Sequence, residues 1–266
     1  MPKVAIVAAL EREVSTLTGS CRCVEQEHEG RRFVFFERDE MVVVCGGIGL
    51  DAARRASEAV IELYHPARLQ SVGFAGALDA KLRVGDLLAP SVVIDARDGS
   101  RAQIEGGDQQ SSLVSFMAVA GVQQKANLAQ AYGAKAVDME AAAVAAAARA
   151  HGIEFGATKV ISDESTFEMP GMDRFIDPHG RFKTASFAVF AALRPWLWSR
   201  VATLEGNSRK AAGVLAEHLE RFRQGLRRTT SQASGQALEK IAAPAATARP
   251  IQQAAATTTS GARGRE

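Results

Sequence analysis

Two kinds of apolar pattern alternate along the chain. Short apolar runs rich in β-branched residues predict strands: VAIVAAL (4–10), FVFFE (33–37), MVVVCGG (41–47), LQSVGFAG (69–76), DLLAPSVVIDA (86–96) and GATKVIS (156–162). DAARRASEAVIELY (51–64), QQKANLAQAY (123–132), MEAAAVAAAARAH (139–151) and the region from about Thr184 to Phe222 predict helices. The strand runs are continuous rather than alternating, as in strands covered on both faces. This predicts an α/β domain, a three-layer α/β/α sandwich around a central mixed, mostly parallel sheet. Ligands of such sheets bind beyond the carboxyl ends of the strands, which directs attention to Leu10 onward, Gly46, Gly73 to Gly76, and Ser162-Asp163.

Composition narrows the class. At 266 residues, 47% hydrophobic and 23% charged, the chain is an ordinary globular protein with enough length for a sizeable core. No run approaches the roughly 18 apolar residues of a membrane span. The opening MPKVAIVAALEREV has one lysine and an apolar run of about seven residues with no small-residue cleavage site, so it reads as a first strand rather than a leader, and the expected location is cytoplasmic. Cys21, Cys23 and Cys45 match no zinc spacing with the five histidines, so reduced thiols are expected, with no metal and no cofactor.

The net charge of +2 is unevenly spread. From Arg223 to Glu266 seven basic residues and two acids give +5, which leaves −3 on residues 1–222. An acidic body argues against a nucleic-acid protein. The tail, residues 223–266, is rich in Ala, Thr, Ser and Gly and is expected to be a disordered, basic, low-complexity extension. Its simplest role is a solvated extension; the alternative is peripheral contact with anionic lipid or RNA.

Five stretches at strand ends carry the candidate chemistry. In LEREV (10–14), Glu11 and Glu13 serve either as a general base or as acids in the first helical turn. CGGIGLDAARRA (45–56) fits neither the dinucleotide fingerprint nor a P-loop, and a tight turn is its simplest reading. In SVGFAGALDAKLRVGD (71–86), Gly73 and Gly76 would let a flat ring approach the backbone. KVISDES (159–165) delivers Asp163 to the sheet edge. Finally, AVDMEAAAVAAAAR (136–149) is an alanine-rich buried helix opened by two carboxylates, Asp138 and Glu140, of which capping explains only one.

With VAIVAALEREV, GGIGLDAA, GFAGALDAKLRVGDLL, AVDMEAAAVAAAA and KVISDES in this order, the chain resembles the nucleoside phosphorylase/nucleosidase superfamily over about residues 3–170, and within it the methylthioadenosine/S-adenosylhomocysteine nucleosidases. The resemblance implies that residues 1–222 form one nucleosidase-like domain that binds a small-molecule nucleoside. It assigns ribose binding to Glu140, with Met139 beneath the sugar and Asp138 as the helix cap. It assigns adenine N7 to Asp163, whose pKa burial would have to raise for it to act as an acid. Glu13 would orient the attacking water, Phe74, Ala75, Gly76 and Val119 would line the base pocket, and Ser162 and Lys159 would support them, Lys159 standing where these nucleosidases usually have arginine.

The implied activity is hydrolysis of the N-glycosidic bond of a 5′-modified adenosine. Phe74 replaces a small hydroxyl residue in the GFAGAL turn and Ser71–Phe74 holds no arginine, which favours water over phosphate as nucleophile. The alternatives are a purine nucleoside phosphorylase and a non-catalytic nucleoside-binding module. The stretch SFAVFAALRPWLWSRVATL resembles hopanoid-associated nucleoside phosphorylases, with Trp196 and Trp198 either forming an apolar lip or belonging to a helix pair docked on the sheet. The resemblance also implies a homo-oligomer.

Overall fold

All five residues of β1 (Val4–Ala8) are buried, and its two faces enter different cores. Ala5 and Val7 belong to one, Val4, Ile6 and Ala8 to the other, which is why this run shows no polar alternation. The computed structural model describes residues 3–169 and 171–242, with side chains as far as residue 226. It divides into two units, Met1–Arg227 and Arg228–Glu266.

After β1 come α1 (Glu11–Thr18), β2 (Arg22–His28), β3 (Arg31–Arg38), β4 (Met41–Cys45), α2 (Leu50–Tyr64) and β5 (Arg68–Ala77). Then follow β6 (Leu87–Leu88), β7 (Pro90–Asp95), β8 (Arg101–Gln103), β9 (Asp108–Ser115), α3 (Val122–Tyr132) and β10 (Ala136–Asp138). The last elements are α4 (Ala141–Ala150), β11 (Glu154–Asp163), α5 (Thr184–Ala192) and α6 (Trp198–Ala242), with short 3₁₀ turns at Met172–Phe175 and Pro195–Leu197.

One sheet runs in the order β2-β3-β4-β1-β5-β10-β9-β7-β8, and β11 pairs with both β5 and β6. Five pairings are parallel, including β1 with β4 and with β5, and β11 with β5. The other five are antiparallel, among them the β2-β3-β4 edge. On one face α2 and α4 pack through Ala53, Ala56, Val60, Ala141, Val144 and Ala148. On the other, Val14 and Leu17 of α1 and Ala211, Leu215 and Leu219 of α6 cover Ile6, Val43 and Val160. The three layers are therefore those expected.

Several elements depart from the pattern reading. The 86–96 run is two strands, broken before Pro90, whose missing N–H cannot continue a ladder. β2, β8, β9 and β10 were not predicted. Of the helix pair expected after Thr184, α6 docks on the sheet. α5 instead associates through an aromatic cluster in which Phe175 stacks on Phe187 and Phe190, and Phe182 on Phe187. Trp196 and Trp198 are 71% and 58% exposed. No helix among the described residues is long and apolar enough to cross a membrane. The boundary expected at 222/223 falls inside α6, and Arg223 is buried with Glu220 and Asp39 as ionic partners. Of the tail expected to be disordered, 243–266 lies outside the described residues.

Candidate active site

The carboxyl ends of β1, β5, β10 and β11 converge on one cavity. Of the residues singled out in the sequence, Glu13, Phe74, Ala75, Gly76, Val119, Met139, Glu140, Ser162 and Asp163 line it. Lys159 does not; it lies behind the cavity wall.

Glu13 is the third residue of α1, and its side chain turns back to accept the Leu10 N–H at 3.1 Å. Glu13 thus closes the first turn of α1 and also faces the cavity. Its carboxylate rests on the backbone of Gly73, where a Cβ would stand 3.0 Å from Glu13 Oε2 at a φ of +149°. Burial pushes the Glu13 carboxyl above its ordinary range, against the pull of the Leu10 N–H and the Lys159 charge.

Glu140 precedes α4 rather than sitting in its first turn. Its Oε1 accepts the Gly49 N–H at 2.9 Å and its Oε2 accepts the Met139 N–H at 3.2 Å. The glycine turn after β4 thus serves the carboxylate. Burial, then the charge of Asp138, push Glu140 up to about 7, while Lys159 and the Gly49 N–H pull down.

Asp138 caps α4, accepting the Ala141 N–H at 2.9 Å, and also accepts from Ser115 Oγ at 2.5 Å. Its Oδ2 is 2.9 Å from Lys159 Nζ, and the side chains are essentially sealed from solvent. Burial disfavours the Lys159 ammonium, but Asp138, Glu140 and Glu13 outweigh it and hold its pKa above the ordinary lysine value. Lys159 balances this buried acidic cluster.

A register shift in the β11–β5 pairing between Ile161 and Asp163 turns the end of the strand toward the cavity. Ser162 Oγ donates to Asp163 Oδ1 at 2.8 Å and more weakly to Ala75 O. A Cβ on Gly76 would stand 2.8 Å from Asp163 Oδ2 and would push that carboxylate aside. Asp163, which the resemblance required to be buried, keeps its side chain 22% exposed. Its Oδ2 is bonded to the ammonium of Lys125, a lysine 2% exposed on α3 that also donates to Glu164 O and Phe167 O. Sequence reasoning missed Lys125 because a single lysine in the polar helix QQKANLAQAY carries no pattern. It also missed Ser115.

The remaining wall is mostly apolar, with Arg12 and Ser208 as its polar members. Phe167, Met169, Met172, Ile176 and Phe182 come from the connection after β11, and Leu204 from α6. No cluster of three or more His, Cys, Asp or Glu with metal-ligand geometry occurs among the described residues. Cys21, Cys23 and Cys45 are free thiols.

A doubly covered mixed sheet with three acids at its strand ends defines the class. The chain belongs to the phosphorylase superfamily, whose family model matches residues 3–121 and 117–193. It is 33% identical over 90 residues to a 5′-methylthioadenosine/S-adenosylhomocysteine nucleosidase of Halalkalibacterium halodurans, covering 33% of this chain and 39% of that one. Identity to the Colwellia psychrerythraea nucleosidase of the same name is 34% over 94 residues, covering 34% and 39%. The matched segment thus spans about two fifths of these curated relatives. Among solved structures, a Helicobacter pylori methylthioadenosine nucleosidase mutant with 5′-methylthioadenosine in its active site superposes with TM-score 0.62 at 16% identity, covering 85% of this chain and 99% of that one. Futalosine hydrolase of Helicobacter pylori gives TM-score 0.60 at 17% identity, covering 82% and 96%. At such identities the structural likeness establishes the fold.

Proposed function

We propose that the protein hydrolyses the N-glycosidic bond of a 5′-modified adenosine and releases adenine. The observation that carries this reading is that Glu13, Glu140 and Asp163, far apart in sequence, line a single cavity at the strand ends. Cleaving such a bond builds positive charge on the ribose and negative charge on the base. Glu140, fixed by two backbone N–H groups, accepts hydrogen bonds from the ribose hydroxyls and offsets the positive charge. Glu13 takes a proton from the attacking water; a carboxyl whose pKa is raised is the stronger base. Asp163, held by Lys125 and Ser162, passes a proton to the departing purine, matching the one that Glu13 takes from water. Phe74 and Val119 provide apolar surface for the base.

Water rather than phosphate is supported by Glu13, whose carboxylate rests against Gly73 where the nucleophile would approach. The relatives' names point to methylthioadenosine and S-adenosylhomocysteine, and futalosine hydrolase marks a second 5′-modified nucleoside among the structural neighbours. Soluble expression in the cytoplasm, a homo-oligomeric state and a separate tail after the catalytic unit complete the proposal. The test is adenine release by Asp163→Asn, followed by absorbance, with circular dichroism as the control for folding. We expect the fold to survive and the rate to fall by roughly 10²–10⁴-fold. Full activity would remove Asp163 from the mechanism.

A further inference from the structure

Three guanidinium groups gather beside the cavity on its Glu13 and Glu140 side. Past Ala9, Leu10, Arg12 and Phe182 the main cavity adjoins a second one, which also reaches Arg31 and Arg181. The second shares Arg31, Phe33 and Arg181 with a third, whose wall adds Arg55, His28 and His179. The arginines come from separate elements: Arg31 starts β3, Arg55 lies on α2, and Arg181 follows Gly180, whose carbonyl accepts the Ile48 N–H at 2.7 Å. That contact ties the loop to the glycine turn that holds Glu140.

Arg31 carries the buried, unsatisfied nitrogen of the group, and its guanidinium lies over the Phe33 ring, 5.5 Å from the centroid. Its Nη2 makes two long bonds, 3.4 Å each, to Gly46 O and His179 O. Its Nη1 is buried with no hydrogen-bond partner among the described residues. Burial, then the charges of Arg55 and Arg181, lower its pKa from the ordinary arginine value, with Asp177 opposing. The acids nearby are few: Glu29 is the single carboxylate in the third cavity's wall and Glu11 the single one in the second's, and Asp177 is engaged by the N–H groups of His179 and Arg181. His28 pairs with Glu62. Among the described residues, none of Arg31, Arg55 and Arg181 is in an ion pair. Gathering three like charges and burying an unpaired guanidinium nitrogen is costly. An anion between them removes both costs, and guanidinium geometry suits carboxylate and phosphate oxygens.

We propose that Arg31, Arg55 and Arg181 form an anion subsite on the sugar side of the main cavity, taking a carboxylate or phosphate group. The group arrives either on the 5′ substituent of the nucleoside, in which case the inference rests on the nucleosidase reading, or as a free anion. Two measurements on the full chain separate these. Titration calorimetry with inorganic phosphate at fixed ionic strength compares wild type with Arg31→Gln/Arg55→Gln, and Arg54→Gln on the exposed side of α2 serves as control. We expect saturable binding to wild type and Arg54→Gln, weakened at least about tenfold in the double variant. Phosphate binding that is absent from wild type, or equal in the double variant, would overturn the subsite.

The second measurement is KM for S-adenosylhomocysteine, which carries a carboxylate, against methylthioadenosine, which carries none. A rise of about tenfold in the double variant for the first substrate alone assigns the subsite to the substrate's own anion. Unchanged KM values with lost phosphate binding assign it to a free anion. If wild type releases adenine from neither, the nucleosidase reading fails, and the phosphate titration alone still decides the subsite.

Discussion

At the residue scale the site depends on carboxylates kept where burial disfavours their charge. Glu140 is the clearest case. Its folded-state pKa of about 7 lies above the ordinary carboxyl value of 4.5, so the folded protein binds more protons than the unfolded chain between those values. The contribution of Glu140 to stability is complete below about pH 4.5 and is lost as pH rises toward 7, by at most about 1.4 kcal/mol per pH unit. Urea midpoints measured from pH 4.5 to 7.5 should decline less steeply for Glu140→Gln than for wild type; parallel profiles would refute the burial argument. Gly73 makes the complementary prediction. Gly73→Ala puts a Cβ against Glu13 at a strained φ, which should cost about 1–3 kcal/mol and lower kcat at least tenfold. An unchanged kcat would mean that Glu13 does not need that position.

Legibility at this scale was uneven. Glu13, Glu140 and Asp163 stood out as acids at strand ends, where apolar runs left them exposed to reasoning. Lys125 and Ser115 did not, because their importance lies in partners 38 and 23 residues away that only folding brings together.

At the element scale, α4 begins where it does because Asp138 accepts the Ala141 N–H, and Lys159 reaches Asp138 from β11 to form an ion pair sealed in the core. Removing one partner of such a pair leaves a bare buried charge. Lys159→Met should therefore destabilise by about 3–5 kcal/mol in chemical denaturation. A loss below about 1 kcal/mol would show that water or Glu140 compensates. The buried parallel strands were readable because both faces are apolar. The hairpin edge β2 and the strand β9 were not: RCVEQEH is polar and mostly exposed, held by backbone pairing, and DQQSSLVS buries only its last three residues after a polar, exposed start. β10 is only three residues long and merges in sequence with the helix it precedes.

At the scale of the molecule, two helical layers seal a sheet whose strand ends meet at one cavity. The face under α6 depends on a few side chains: Leu215, fully buried between that helix and the sheet, should cost about 2–5 kcal/mol when cut to alanine. The region from about Thr184 to Phe222 was readable as helical, and a helix pair as one reading of it, but the attachment of α5 through aromatic rings and of α6 to the sheet depends on contacts that no local pattern encodes. What unifies these scales is the claim that the cavity cleaves a nucleoside with water. Methylthioadenosine incubated with the protein in phosphate-free buffer tests this most directly. We predict release of adenine and free methylthioribose in equal amounts, with no sugar 1-phosphate. Turnover only after phosphate is added, with a sugar 1-phosphate as product, would contradict it.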